Sequence, residues 1–285
     1  MKKEITLYYS ADSDDAFMFW ALKEKLIDTG PFLFKLVTGN TEDLNKLALE
    51  DEADITAVSI YTYGFLTDRY LLFPHSGSVG RNYGPVIVSR KPYTAEDLSH
   101  LKIATPGEKT TAYCILKMIS PGTKTMTVPI IPFQNIFRAI DTGEVDAGLL
   151  IHEGRLLYSQ LGYHLIMDIG QWWFQETQLP LPLGGTVIKK SLGEADIKFV
   201  SSCLRNSIRY GLDHRDIALD AIMQQKGKEQ PQLFHKKLID EYLSLYANED
   251  TFDYGEEGRQ AIQTFLDKSF KAKLLPRKVN AEFTP

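Results

Sequence analysis

The chain has 285 residues, 44% of them hydrophobic and 24% charged, and carries a net charge of −5. That length suits about two ordinary cores, the composition excludes disorder, and the charge offers no basic footprint for nucleic acid or an anionic membrane. Any anion it binds must therefore be held by local geometry rather than by the overall field.

The N-terminus, with lysines at positions 2 and 3, begins like a secretory signal. Its apolar run is too short, however, and the acidic stretch Ser10-Ala11-Asp12-Ser13-Asp14-Asp15 follows at once. No segment approaches the ~18 apolar residues of a membrane span. The two cysteines, Cys114 and Cys203, sit in helix-like apolar patterns, as buried thiols of a reducing compartment do. A cytoplasmic location is expected. The six histidines show no ligand-like spacing with either cysteine, so no metal site is expected.

In chain order, the patterns predict a strand at 5–9 and a helix at 14–26, with Phe17, Ala21 and Leu22 on one face and Ser13 or Asp14 as its cap. A strand at 32–37, a helix at 41–49 and a buried strand at 55–58 follow. Such alternation builds a mainly parallel sheet covered by helices, with ligands at the carboxyl ends of the strands. Gly84-Pro85 then introduces the apolar run Val86-Ile87-Val88, ended by Pro92, as in a chain crossing between lobes. The grammar restarts with a strand at 102–105, a helix at 110–118, a strand at 126–130, a helix at 133–140 and a strand at 148–151. A Gly-flanked strand at 183–188 reads as the return crossing, and everything after about 194 is helical in pattern. The expectation is an α/β protein of two lobes, the outer from 1–88 and 186–285, the inner from 89–185, with a ligand cleft between them.

An internal echo supports this. Residues 45–59 run helix, acidic turn, apolar strand and then Ser59; residues 137–152 repeat the sequence and end on His152. Each lobe thus offers a polar residue at a strand's carboxyl edge. Between a strand and a helix, Thr105-Pro106-Gly107-Glu108-Lys109-Thr110-Thr111-Ala112 would present unpaired backbone N–H groups and two hydroxyls to a carboxylate, or simply cap the helix through threonine. His152 is placed as a general base, with Glu153 either orienting its ring or starting the next helix. Ser10 and Ser59 end strands without a nucleophile elbow. Asp12, Asp14 and Asp15 lack the spacing of a calcium loop and read as a solvated helix start. Trp172 and Trp173 would either sandwich a planar ligand or fill a hinge core.

The ordered set Ser10-x4-Asp15-Ala16-Phe17-Met18-Phe19, Asp68-Arg69-Tyr70, Tyr83-Gly84-Pro85-Val86-Ile87-Val88, Thr110-Thr111-Ala112-Tyr113, Ile151-His152-Glu153, Trp172-Trp173 and Leu179-Pro180-Leu181-Pro182-Leu183-Gly184 resembles the 1,4-dihydroxy-6-naphthoate synthases of the futalosine route to menaquinone. The resemblance implies a fold similar to type II periplasmic binding proteins and cleavage of cyclic dehypoxanthine futalosine without a cofactor. It implies His152 as the base, with Ala57, Val58, Ser59, Thr110, Thr111 and Ala112 lining the substrate site, joined by Ser10, Asp15 and Asn40 on the outer rim. The chain departs from the family at Ala11 and Ser13, where prolines are frequent, and at Asn40, where an acidic residue is common. The partner expected is a small carboxylate, not nucleic acid or membrane; a homodimer is left open. Chorismate dehydratase of the same route and a non-catalytic binding protein for a small carboxylate stand as alternatives.

Overall fold

The computed structural model describes residues 2–130, 132, 134–229 and 235–285, with backbone alone at 226–229. Among these residues ten strands make two sheets. The first contains β1 (Lys3–Ser10), β2 (Phe32–Gly39), β3 (Ile55–Ser59), β4 (Tyr70–Gly80) and β10 (Leu181–Lys189); the second contains β5 (Val86–Ser89), β6 (Lys102–Thr105), β7 (Lys124–Thr127), β8 (Ala147–Leu150) and β9 (His164–Asp168). Their orders are β2-β1-β3-β10-β4 and β7-β6-β8-β5-β9. These are the same arrangement twice, and in each sheet four strands run one way while the crossing strand, β10 or β5, runs against them. The echo in the sequence is thus an echo in topology. Ser59 ends the strand at the third position of one sheet, and His152 follows the strand at the same position of the other.

The crossings are set by glycine and proline. β5 pairs with β8 and β9, so the first crossing lies at 81–85, ahead of β5 rather than after residue 88, and the return at 169–180. The two crossing segments touch backbone to backbone. A Cβ on Gly170 would stand 2.1 Å from the carbonyl carbon of Tyr83, and one on Gly84 would stand 2.9 Å from the Cα of Gly170. Only glycine permits that approach.

Several elements differ from the sequence pattern. The expected helix at 14–26 is two helices, Ser13–Met18 and Trp20–Lys23, broken at Phe19. The break lets Met18, Phe19 and Trp20, three neighbours in sequence, all be buried, which one straight amphipathic helix cannot do. β7 ends before Pro129, which has no donor for the ladder. The helix expected at 133–140 is Gln134–Asp141; position 133 lies outside the described residues. β4 and β9 carried no clear alternation. β4 contains Pro74 and tolerates it at the sheet edge, where the C-terminal tail covers it through Leu72 N–H to Glu282 O (2.9 Å) and Thr284 N–H to Leu72 O (2.9 Å).

After β10 the described chain is mainly helical as far as Lys271, and the helices Glu194–Asp213 and Lys236–Tyr246 pack against β4 and the Ser13–Met18 helix. Among the described residues no helix is long and apolar enough to cross a membrane. Cys114 and Cys203 are buried free thiols, and burial pushes Cys203 up to about 11.

Candidate active site

The loops after β1, β2 and β3 face the loops after β6 and β8 across a cleft whose void, open mouth included, is about 760 Å³. Of the residues singled out from the sequence, Ser10, Asp15, Ala57, Val58, Ser59, Thr110, Thr111, Ala112 and His152 all line it. Asn40 does not. It caps the helix Thr41–Leu49 and donates from Nδ2 to Asp43 (3.0 Å), while Thr41 takes the place on the wall.

His152 is reached because β8 is short and fully buried, so its carboxyl end delivers the chain to the cleft. The residue itself has φ 53°, in the left-handed region that costs a side-chain-bearing residue energy, and the ring points at the opposite wall. Its Nδ1 lies 2.5 Å from Asp12 Oδ2 and its Nε2 3.1 Å from Thr41 Oγ1. Burial by itself would lower the imidazole, but the Asp12 carboxylate opposes this by charge and hydrogen bond, helped by Glu153 and Asp14. The net result holds His152 above the usual histidine range.

The aspartates are not a solvated helix start. Asp12, Asp14 and Asp15 are each at most 7% exposed, and none caps the helix through its side chain. The helix Lys236–Tyr246 closes over them: Tyr242 donates its hydroxyl to Asp14 Oδ1 (3.0 Å), and Ser78 donates to Oδ2. Burial, then repulsion from Asp12, raises Asp14 to about 8, so it is a carboxylic acid at neutral pH. Burial, with Asp12 and Asp14 adding, also pushes Asp15 well above the usual carboxylate range, although the Ser10 amide donates to its Oδ2 (2.6 Å). Ligand-type atoms of Asp12, Asp14 and His152 lie within 4.8 Å of one another. Both Asp14 oxygens already accept hydroxyl protons and His152 Nδ1 is engaged by Asp12, so the trio is a proton-sharing network rather than a cation cage.

The other end of the cleft suits an anion. Thr110 caps the helix Thr111–Ile119, accepting from Tyr113 N–H (3.2 Å) and donating to Gly107 O (2.8 Å), while Thr111 donates to Leu183 O (2.6 Å). Both hydroxyl protons are therefore committed within the chain, and of the two sequence readings of this turn, ligand-facing hydroxyls or a threonine cap, Thr110 follows the cap. The donors left are the first backbone N–H groups of the helix, at Thr111 and Ala112, where the dipole is positive. Ser59 is fixed by Asn45, which accepts from its amide (2.8 Å) and donates to its hydroxyl oxygen (3.2 Å), leaving the hydroxyl proton for the cleft.

Arg155, Tyr242 and Tyr246 also line the cleft and had no sequence signal. Arg155, its side chain only 13% exposed, donates from Nε to Gly84 O (2.7 Å) and pairs with Asp168 (2.9 Å), which ties the site to the crossing segment. A lone arginine on a short helix is invisible in sequence, and the tyrosines arrive from a helix 90 residues further on. Glu153 starts the helix Gly154–Leu157, and its Oε1 accepts from Ser13 N–H (3.1 Å) and Oγ–H (2.5 Å) on the other side of the cleft. Trp173 is fully buried against Phe265, its indole N–H donated to Pro180 O (3.0 Å). Neither tryptophan lines the cleft.

Residues 5–271 match the model of a protein family described as menaquinone biosynthesis. The chain belongs to that family. Two curated relatives are both named 1,4-dihydroxy-6-naphthoate synthase: one from Thermus thermophilus, 34% identical over 90% of this chain and 91% of the relative, and one from Streptomyces coelicolor, 30% identical over 95% of each. A solved protein of Archaeoglobus fulgidus superposes with a TM-score of 0.87 at 31% identity, covering 95% of this chain and 98% of its own. The alkanesulfonate-binding protein SsuA of Xanthomonas axonopodis superposes with a TM-score of 0.71 at 14% identity over 99% and 97% of the two chains, a likeness of fold alone. This member of the menaquinone biosynthesis family thus has the two-lobed architecture of periplasmic binding proteins.

Proposed function

We propose that this chain is a cytoplasmic carbon–carbon lyase that converts cyclic dehypoxanthine futalosine to 1,4-dihydroxy-6-naphthoate. The observation that carries the proposal is His152, a histidine on the cleft wall with Asp12 on one ring nitrogen and a hydroxyl on the other. It belongs to a chain whose relatives of that name align along nearly its whole length. The lobe built on the first sheet and the lobe built on the second close over the substrate. Its carboxylate meets the amides of Thr111 and Ala112, and the sugar-derived ring meets Ser59 and the 57–59 backbone. His152 takes a hydroxyl proton; the alkoxide collapses to a carbonyl as the adjacent carbon–carbon bond breaks, and aromatisation of the second ring supplies the driving force. These steps use the chain's own residues and need no cofactor.

The test is to incubate purified protein with cyclic dehypoxanthine futalosine and follow the product by mass spectrometry. Appearance of the dihydroxynaphthoic acid is expected, and His152→Ala should lower turnover by about 10² to 10⁴-fold with substrate affinity largely kept. Unchanged substrate would sink the lyase, and dehydration of chorismate in the same assay would replace it with the sister activity.

A further inference from the structure

His152 and the groups that hold it come from opposite halves of the molecule. The histidine follows β8 of the second sheet, whereas Asp12 follows β1 and Thr41 follows β2 of the first. Beside them, Ser13 donates twice across the cleft to Glu153. Further along, Glu42, from the helix after β2, accepts from the Lys109 amide on the loop after β6 (3.1 Å). The loop after β1 is therefore fastened to the His152 loop at two adjoining points.

We propose that Asp12 is the positioning residue for His152, contributed by the opposite lobe, and that it fixes the ring with Nε2 as the proton-accepting atom. The proposal rests on His152 being the base. A carboxylate 2.5 Å from Nδ1 requires the proton there. In the neutral ring Nε2 is then left with its lone pair, and Thr41 Oγ1 at 3.1 Å is placed to donate to it. Thr41 occupies the place that a substrate hydroxyl would take when it gives up its proton. The left-handed backbone of His152 reinforces the reading, because a residue held at φ 53° is aimed by its surroundings and not by its own preference.

The other charges around the ring have different engagements. Asp14 is occupied by Tyr242 and Ser78, Glu153 by Ser13, and Arg155 by Gly84 and Asp168. Asp12 is the carboxylate in direct contact with the imidazole. Opening of the lobes would separate the pair, so the oriented base is a property of the closed molecule.

Two measurements on Asp12→Asn test this. The first is the titration of His152 by NMR of histidine-labelled protein, its resonance identified by its loss in His152→Ala. It should fall in Asp12→Asn towards or below the ordinary ~6.5. The second is the pH profile of turnover. Its acid limb should move down by the same amount, while kcat at the plateau drops by between about tenfold and the ~10⁴-fold seen when a triad aspartate is replaced, with KM nearly unchanged. Asp12→Glu, which restores a carboxylate, should recover part of both readouts, and it serves if the asparagine variant folds poorly. An unchanged titration overturns the pairing whether or not the protein makes the naphthoate, because the NMR needs no substrate. A shifted titration with wild-type kcat overturns the catalytic part alone.

Discussion

A buried carboxyl that keeps its proton makes native stability depend on pH in a direction opposite to most acidic groups, and Asp14 supplies the case. Its native value is about 8, against ~3.9 for an unfolded aspartate. Between those values the native state holds a proton that the unfolded chain has released. Stability is therefore greatest below the unfolded value and is lost as pH rises through the native one, by up to ~1.4 kcal/mol per pH unit for one fully resolved proton. His152, also raised, acts in the same direction above ~6.5. Asp14 titrates together with its acidic neighbour Asp15, so only part of the single-proton slope, taken as about half, ~0.7 kcal/mol per unit, is assigned to Asp14. From about pH 5.5 to about pH 8 that amounts to ~2 kcal/mol, or roughly 3 °C in Tm at an unfolding entropy of ~2.1 cal/mol/K per residue. Thermal unfolding of the wild type and Asp14→Asn across this range measures it. The asparagine variant should lose stability less steeply with pH, and its advantage over wild type should grow on the alkaline side. Parallel curves would refute a protonated Asp14, whatever the offset between them.

Arg155→Met should raise KM and lower the stability of the Gly84–Gly170 crossing, since the guanidinium holds Gly84 O and Asp168. A variant with unchanged KM and Tm would remove Arg155 from the site. Trp173→Ala should cost about 3–5 kcal/mol by leaving a cavity against Phe265, while kcat at temperatures where the variant is folded stays close to wild type. A large fall in kcat there would place Trp173 in catalysis instead of in the core.

Much of the architecture was legible because it is local. The alternation of apolar strands and amphipathic helices located β1, β3, β6, β8 and the helices Thr41–Leu49 and Thr111–Ile119 to within a residue or two. The repeated helix–strand–polar pattern placed Ser59 and His152 at corresponding strand ends, because a strand's direction decides which of its residues reaches the sheet edge. Gly84-Pro85 marked the first crossing, whereas Gly184-Gly185, read as the return crossing, lie inside β10 of the first sheet, and the return precedes them at 169–180.

What the sequence left undetermined depends on groups distant in the chain. Asp12, Asp14 and Asp15 have the composition of an exposed helix start, and they became buried acids only because Tyr242, more than 220 residues away, closes over them. Thr110 and Thr111 have ligand-binding hydroxyls on paper, yet the fold brings Gly107 O and Leu183 O within reach, and those carbonyls take the protons first. The partner of His152 followed the same rule. Glu153 was its neighbour in sequence, but Asp12, 140 positions earlier, is its neighbour in space. Periodicity reports which face of an element is apolar. The protonation state and orientation of a buried polar group are set by what is packed against it, and only the tertiary structure specifies that.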